Sequence, residues 1–157
     1  MKHSARLACI AVATLAFTAD AAETASATVN VTGGANAGKH TTAVDKAGCS
    51  TGLTGKNSFG VQISNPKDKD PKKLNSVQLD VPDKSKANEF TLTVGFGPLI
   101  GRTASYTIDT RAGKKGNGAI TINESGSTAS VKFSGTTADG VKLDGAIDCK
   151  SILKAGR

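Results

Sequence analysis

Residues Glu89–Phe96 read EFTLTVGF, and every second position is apolar. The apolar side chains are those of Phe90, Leu92, Val94 and Phe96. Alternate side chains of an extended strand point to the same face of a sheet, so this spacing places all of them on one face. No stretch beyond Ala21 shows a convincing helical periodicity. The segment therefore predicts a strand with one face in a hydrophobic core.

Further stretches of the chain alternate in the same way. The predicted strands are Thr28–Thr32, Ser58–Ser64, Asn75–Val81, Thr103–Thr110, Ala119–Asn123, Thr128–Ser134 and Val141–Cys149. Short turns rich in Gly, Asn and Asp separate the later strands, at Gly113–Gly118, Glu124–Ser127 and Ala138–Gly140. We therefore predict an all-β fold, an antiparallel β-sandwich or partly open barrel of about seven to eight strands with one disulfide.

The N-terminal residues have the layout of a secretory signal peptide. The positive residues Lys2 and Arg6 precede Leu7–Phe17, which carries no charge, and small residues follow in Ala19–Ala21. This order of a positive start, an apolar stretch and small residues is typical of export through a cleaved leader. We therefore expect a protein that is secreted or periplasmic.

Cleavage after Ala21 would make 1–21 the signal peptide and 22–157 a single secreted β domain. A second set of small residues, Ala25–Ala27, offers an alternative site. An N-terminal anchor helix is disfavoured because the apolar stretch has eleven residues, too few to span a bilayer. Cys9 lies near the start of that stretch and not after it, so we interpret it as a removed residue and not as a lipid attachment site.

The mature part is basic. Without Lys2, Arg6 and Asp20 it keeps 18 basic and 12 acidic residues, a net charge of +6. Such a charge favours anionic neighbours: cell-wall polymers, lipopolysaccharide, phospholipid head groups or nucleic acid. The plainer interpretation is that the charge keeps an exported protein soluble.

Two cysteines follow the signal sequence, Cys49 and Cys149. An even count in an exported chain predicts one disulfide, and only one intramolecular pairing exists. Cys149 has the parity of Leu143 and Ile147 in its strand, so its sulfur is expected to point into the core. The bridge would tie the last strand to the beginning of the fold and close a loop of 100 residues. A metal site or catalytic thiol is the weaker alternative, because a soft-metal site needs more ligands.

The connection Asn65–Lys73 (NPKDKDPKK) is a charged loop with two prolines. We select its lysines as candidate contacts for an anionic or protein partner, and they are Lys67, Lys69, Lys72 and Lys73. The alternative is a solvated linker between hairpins. Asp68 and Asp70 are an incomplete set for a calcium site, and no metal site is predicted.

The connection Gly95–Gly101 (GFGPLIG) is apolar and joins two predicted strands. It could be an exposed tip that contacts a membrane or a partner through Phe96, Leu99 and Ile100. We favour a loop that folds over the open end of the sandwich and completes the core, because large exposed apolar patches are uncommon.

Residues that would support catalysis are scarce. The mature part has one histidine, His40, and no methionine or tryptophan, which disfavours copper sites. His40 precedes the predicted sheet except for its first strand. Carboxylates lie on or beside strands without a spacing that selects a pair, at Glu89, Asp109, Glu124, Asp144 and Asp148. The aromatic residues fall on the apolar stripes, which disfavours specific nucleic-acid binding by stacking.

The pattern resembles the mycobacterial LpqH-type lipoprotein antigens. The shared features are a Cys in a Thr/Gly-rich segment (Cys49–Gly52) before a strand (Phe59–Ile63), a Gly-rich hairpin (Gly116–Ile122) and a strand ending in Cys (Gly145–Cys149). The resemblance covers about Val44–Cys149 as a pattern and not as a run of identities. It implies a surface-exposed, non-enzymatic β domain and supplies no catalytic residues. The chain departs from that family in lacking a lipidated cysteine after its signal stretch.

Our hypothesis is an exported, non-catalytic β-sandwich protein of the cell envelope or extracellular space that binds an anionic or protein partner. No cofactor and no transmembrane span after processing are expected. The alternatives are a small secreted hydrolase that uses carboxylates and a secreted enzyme inhibitor that presents a rigid loop.

Overall fold

The computed structural model describes residues 23–46, 48–111 and 116–155. Eleven strands run through them in chain order: β1 Ala25–Thr32, β2 Gly38–Val44, β3 Cys49–Thr51, β4 Phe59–Ser64, β5 Leu74–Val81, β6 Thr91–Phe96, β7 Ala104–Asp109, β8 Asn117–Ser125, β9 Thr128–Thr136, β10 Lys142–Cys149 and β11 Ile152–Lys154. A single-turn 3₁₀ helix, Lys84–Lys86, lies between β5 and β6. No helix of the described ranges has the length and apolar character to cross a membrane. The signal peptide expected at 1–21 falls outside the described residues.

The strands form two sheets that pack face to face. Sheet I has five strands in the order β2-β1-β10-β9-β8, and sheet II has six in the order β11-β3-β4-β5-β6-β7. All neighbours are antiparallel except β11 and β3, which are parallel. The predicted antiparallel sandwich is confirmed, while the predicted number of strands, about seven to eight, is too low.

Alternation of side chains produces the core between the sheets. The alternation in Glu89–Phe96 is confirmed, because its apolar residues are fully buried: Phe90, Leu92, Val94 and Phe96. Sheet I contributes the inward residues of its central strands, among them Val29, Val131, Leu143 and Ile147. Polar residues occupy the intervening positions and face outward, which is the expected pattern of a sandwich.

The disulfide Cys49–Cys149 joins the two sheets. Cys49 lies on β3 of sheet II and Cys149 at the end of β10 of sheet I, with Cα atoms 6.0 Å apart. Both residues are 2% exposed, so the predicted pairing and the inward direction are confirmed. The expectation that Cys149 ends the last strand is wrong, because β11 follows and pairs with β3 beside Cys49.

The connections between neighbouring strands of sheet II lie at two opposite ends of the sandwich. Ser64 pairs with Ser76, and Phe96 pairs with both Leu74 and Ala104. The β4–β5 and β6–β7 connections therefore leave the sheet at the same end. The β3–β4 turn and the β5–β6 connection lie at the opposite end, because neighbouring strands run antiparallel.

Candidate functional site

The two candidate contact segments meet at one end of the sandwich. The β4–β5 connection, Asn65–Lys73, is the lysine loop, and the β6–β7 connection, Gly97–Thr103, is the tip. The amide of Gly97 donates to the carbonyl of Lys73 at 3.0 Å. The Thr103 hydroxyl donates to the carbonyl of Pro71. We call the lysine loop and the tip together the basic end, since these hydrogen bonds make one surface of two segments distant in sequence.

Short side chains fold the lysine loop by bonding their own backbone. The Asn65 side-chain oxygen accepts from the amide of Lys67 at 3.3 Å. Asp68 Oδ1 accepts from the amide of Asp70 at 3.1 Å, and Asp70 Oδ1 from that of Lys72 at 2.9 Å. Asn and Asp commonly form turns in this way. The two aspartates thus shape the loop, and among the described residues no cluster of three metal-ligating side chains occurs.

Asn75, at the start of β5, holds the lysine loop by side-chain hydrogen bonds, a role that was not predicted from the sequence. Its side chain is 1% exposed and lies at a register shift between β5 and β6. Its Oδ1 accepts from the amide of Asn65 at 3.2 Å, and its Nδ2 donates to the carbonyl of Asp68 at 3.0 Å. Because a β-bulge redirects a side chain, the amide reaches the loop and not the core. The presence of an amide side chain in an otherwise apolar strand could have indicated this role in the sequence.

The four lysines of the loop are exposed, but their charges are not equivalent. Lys73 Nζ lies 2.6 Å from Asp68 Oδ2. This hydrogen bond lowers the pKa of Asp68 and raises that of Lys73 from their ordinary values. Among the described residues, no ion pair involves Lys67, Lys69 or Lys72. These three ammonium groups therefore remain available to an external anion.

The tip combines buried and exposed apolar residues. Phe96, at its base, is 0% exposed, Leu99 is half-buried and Ile100 is 94% exposed. The expectation that this segment completes the core is therefore right for Phe96 and wrong for Ile100. The selection of Phe96 as a surface contact is wrong, because it is the last inward residue of β6. Arg102, within the tip, is exposed and adds a further positive charge.

Beneath the tip, aromatic rings close the core. The rings of His40 and Phe96 meet edge to face at 4.8 Å, and those of Phe96 and Tyr106 at 5.9 Å. His40 Nε2 lies 2.9 Å from the carbonyl oxygen of Asn36, whose side chain accepts from the Tyr106 hydroxyl at 3.1 Å. The placement of His40 outside the sheet is wrong, since it lies on β2 opposite Val29. The ring packs the β1–β2 hairpin against sheet II.

The carboxylates on the outer faces are poorly arranged for acid–base catalysis. Asp144 and Asp148 are exposed on β10, and four residues of strand separate them by about 13 Å, beyond the spacing of a glycosidase pair. Arg111 bonds Asp109 at 3.1 Å and Asp80 at 3.2 Å. The hydrogen bond from Arg111 lowers the pKa of Asp109, whereas a general acid needs a raised one.

The remaining candidate carboxylates lie at the opposite end. Glu89 is exposed in the β5–β6 connection. Glu124 Oε1 pairs with Lys84 Nζ at 2.8 Å, and the same ammonium donates to the Thr51 hydroxyl at 3.1 Å. This contact links β8 of sheet I to sheet II. Glu124 thus has a structural partner.

A surface groove of about 540 Å³ runs beside the lysine loop. It lies between the end of β2 and the start of the loop, and its charged lining includes Glu23, Asp45, Lys46 and Lys67. Because charges of both signs line it, the groove has no clear preference for an anion or a cation. The basic end therefore remains the better-defined candidate surface.

Fold and site together define a disulfide-linked β-sandwich whose one end carries exposed basic side chains and an exposed isoleucine. Comparison of the chain with protein-family models, curated proteins and solved structures finds no match. The functional argument consequently rests on the geometry of the basic end.

Proposed function

We propose that this chain is an exported, non-catalytic β-sandwich protein of the cell envelope or extracellular space, whose basic end binds an anionic partner. The observation that carries the proposal is the convergence of the lysine loop and the tip into one hydrogen-bonded surface. Five basic residues and two acidic residues lie on that surface, a net charge of +3. A local excess of positive charge attracts polyanions and anionic surfaces.

Export is the first part of the proposal. The buried disulfide is compatible with an oxidising compartment. The proposed cleavage site is after Ala21, because cleavage after Ala27 would remove part of β1, including the buried Ala25. The resemblance to the LpqH-type antigens belongs to the same proposal, since it implies a surface-exposed domain without catalysis.

The alternatives have less support from the described side chains. A carboxylate hydrolase would need a general acid, and the Arg111 contact opposes that role for Asp109. An enzyme inhibitor would use the rigid tip alone. Its binding would then depend on Ile100 and respond little to salt. An anionic partner requires the lysines, so salt dependence separates the two.

The test is retention of the exported protein on isolated cell envelopes. The variant changes Lys67, Lys69 and Lys72 to Gln and keeps Lys73, which holds Asp68. The control changes Lys56, Lys86 and Lys132 to Gln, three exposed lysines away from the basic end. At about 1 kcal/mol per lysine near an anionic surface, affinity at low salt is expected to fall on the order of 100-fold in the variant.

The salt dependence gives the second readout. The slope of log affinity against log salt is expected to become shallower in the variant and to stay unchanged in the control. Equal retention of variant and control would contradict the proposal. Salt-independent capture of a hydrolase that is lost in Ile100→Ser would instead support the inhibitor alternative.

A further inference from the structure

Ile100 has an unusual environment for a large aliphatic side chain. It is 94% exposed, whereas the other exposed large apolar side chains among the described residues, those of Leu53 and Leu153, are 56% and 53% exposed. Isoleucine is among the residues that folded proteins most often bury. Ile100 therefore gains little from folding and is free to contact a surface outside the chain.

The tip holds this side chain on a fixed base. The amide of Thr103 donates to the carbonyl of Phe96 at 3.1 Å. This bond joins the two ends of the tip, which we call its neck. Gly97 adopts φ +79°, and a Cβ there would lie 2.8 Å from Thr103 Oγ1. Together with the hydrogen bonds to the lysine loop, this geometry fixes both ends of the tip, which lowers the cost of ordering Ile100 on binding.

Basic side chains accompany the exposed isoleucine. Arg102 lies two residues after it, and the lysine loop is bonded to the base of the tip. An apolar side chain that enters the acyl region, flanked by cations at the level of the phosphates, is how peripheral proteins bind anionic bilayers. Long basic side chains suit this boundary, since their stems are apolar and their heads charged.

We propose that the anionic partner is a phospholipid bilayer that contains anionic lipid, into which Ile100 inserts. This inference rests on the proposed function and adds the chemistry of the partner. A soluble polyanion offers no apolar phase to Ile100. A protein partner fits less well, because protein interfaces are enriched in aromatic residues and depleted of lysine, whereas the basic end has the opposite composition.

The chain has no tryptophan, so a single one makes a local reporter. Ile100→Trp places the fluorophore at the tip, and Leu53→Trp places it in the β3–β4 turn at the opposite end. Each exported, oxidised protein is mixed with phosphatidylcholine vesicles containing phosphatidylglycerol, with phosphatidylcholine vesicles alone, and with dextran sulfate. The emission of Ile100→Trp is expected to shift to the blue only with the anionic vesicles, and acyl-brominated lipid is expected to quench it. Leu53→Trp is expected to keep its emission throughout.

Removal of the side chain tests its contribution to affinity. Ile100→Ser is expected to bind the anionic vesicles about tenfold more weakly in co-sedimentation, because the apolar contact is lost. Leu53→Ser is expected to bind as the unchanged protein does. Retention on dextran sulfate is expected to be equal for all three proteins, since that polymer offers charge alone.

The outcomes separate this inference from the proposed function. If Ile100→Trp keeps its aqueous emission while the lysine variant no longer binds the anionic vesicles or dextran sulfate, the membrane inference is overturned. The proposal of anion binding then stands. If the lysine variant binds vesicles and dextran sulfate as well as its control does, the proposed function fails as well. A blue shift of equal size on vesicles without anionic lipid would also overturn the inference.

Discussion

The tip contains two glycines with positive φ, Gly97 and Gly101, and they differ in how much space surrounds them. Gly97 (φ +79°) is crowded by Thr103, whereas Gly101 (φ +82°) has nothing within 4 Å of the place a Cβ would take. Gly97→Ala is expected to cost about 2–3 kcal/mol of stability, and Gly101→Ala about 1 kcal/mol from backbone strain alone. Urea unfolding of the two variants measures the difference. Equal losses would show that Thr103 moves aside and that the neck of the tip is not fixed.

The Asp109–Arg111 contact predicts a dependence of stability on pH. Because the guanidinium lowers the pKa of Asp109 in the folded state, the contact stabilises the fold above the ordinary carboxyl pKa of about 3.9. That stability is lost as the pH falls through the folded pKa. Asp109→Asn is expected to be less stable than the unchanged protein at neutral pH and to approach it below about pH 4. Unfolding in urea across this range measures it, and a pH-independent difference would contradict the prediction.

Strands whose residues alternate between apolar and polar were predictable from the sequence, whereas strands without this alternation were not. All eight alternating stretches form strands, with boundaries within a few residues of the prediction. The missed strands are β2, β3 and β11. β2 (GKHTTAV) fills inward positions with His40 and Thr42, so no apolar alternation marks it. β3 and β11 have three residues each, too few to show a period, and they are held by pairing and by the disulfide.

The candidate site was only partly predictable from the sequence. The lysines and Ile100 could be selected from composition alone. Their meeting depends on β4 to β7 lying side by side, which places both connections at one end. Phe96 could have been excluded, since its own parity within β6 points inward. Asn75 could not be assigned a role, because its direction depends on the register shift beside it.

The lysine loop depends on this buried amide. Asn75→Ala is expected to lower the free energy of unfolding by about 1–3 kcal/mol, because it leaves the carbonyl of Asp68 without its side-chain partner and the amide of Asn65 with only its 3.0 Å bond to the carbonyl of Asn75. Asn123→Ala, on an exposed position of β8, is the control and is expected to change stability by less than about 0.5 kcal/mol. Urea unfolding compares the two. Hydrogen exchange that stays unchanged in the lysine loop would contradict the anchoring role.

Over the molecule as a whole, the disulfide cross-links the two sheets. It joins residues 100 positions apart, so its loss frees a large loop in the unfolded chain. The chain-entropy model predicts that replacing both Cys49 and Cys149 by Ala lowers stability by about 4–5 kcal/mol. Urea unfolding of the oxidised protein and of the double variant measures the loss. A loss below about 1 kcal/mol would show that the packed sheets need no such link.

The two ends of the sandwich differ in how their charges are used. At the opposite end, Lys84 is paired with Glu124 between the sheets. The β3–β4 turn and the β5–β6 connection there carry three lysines and two acidic residues, a net charge of +1 against +3 at the basic end. At the basic end, Lys67, Lys69 and Lys72 are exposed, as is Ile100 of the tip. This difference in net charge is why our proposal places an anionic surface at the basic end and not against the sheet faces.

Amide chemical shifts in bicelles that contain phosphatidylglycerol test the contact surface most directly. Residues 65–73 and 97–103 are expected to show the large changes, and the changes are expected to fade as salt is added. Shifts concentrated instead on the outer face of sheet I, or around Lys56 and Lys86, would contradict the assignment of the basic end as the contact surface.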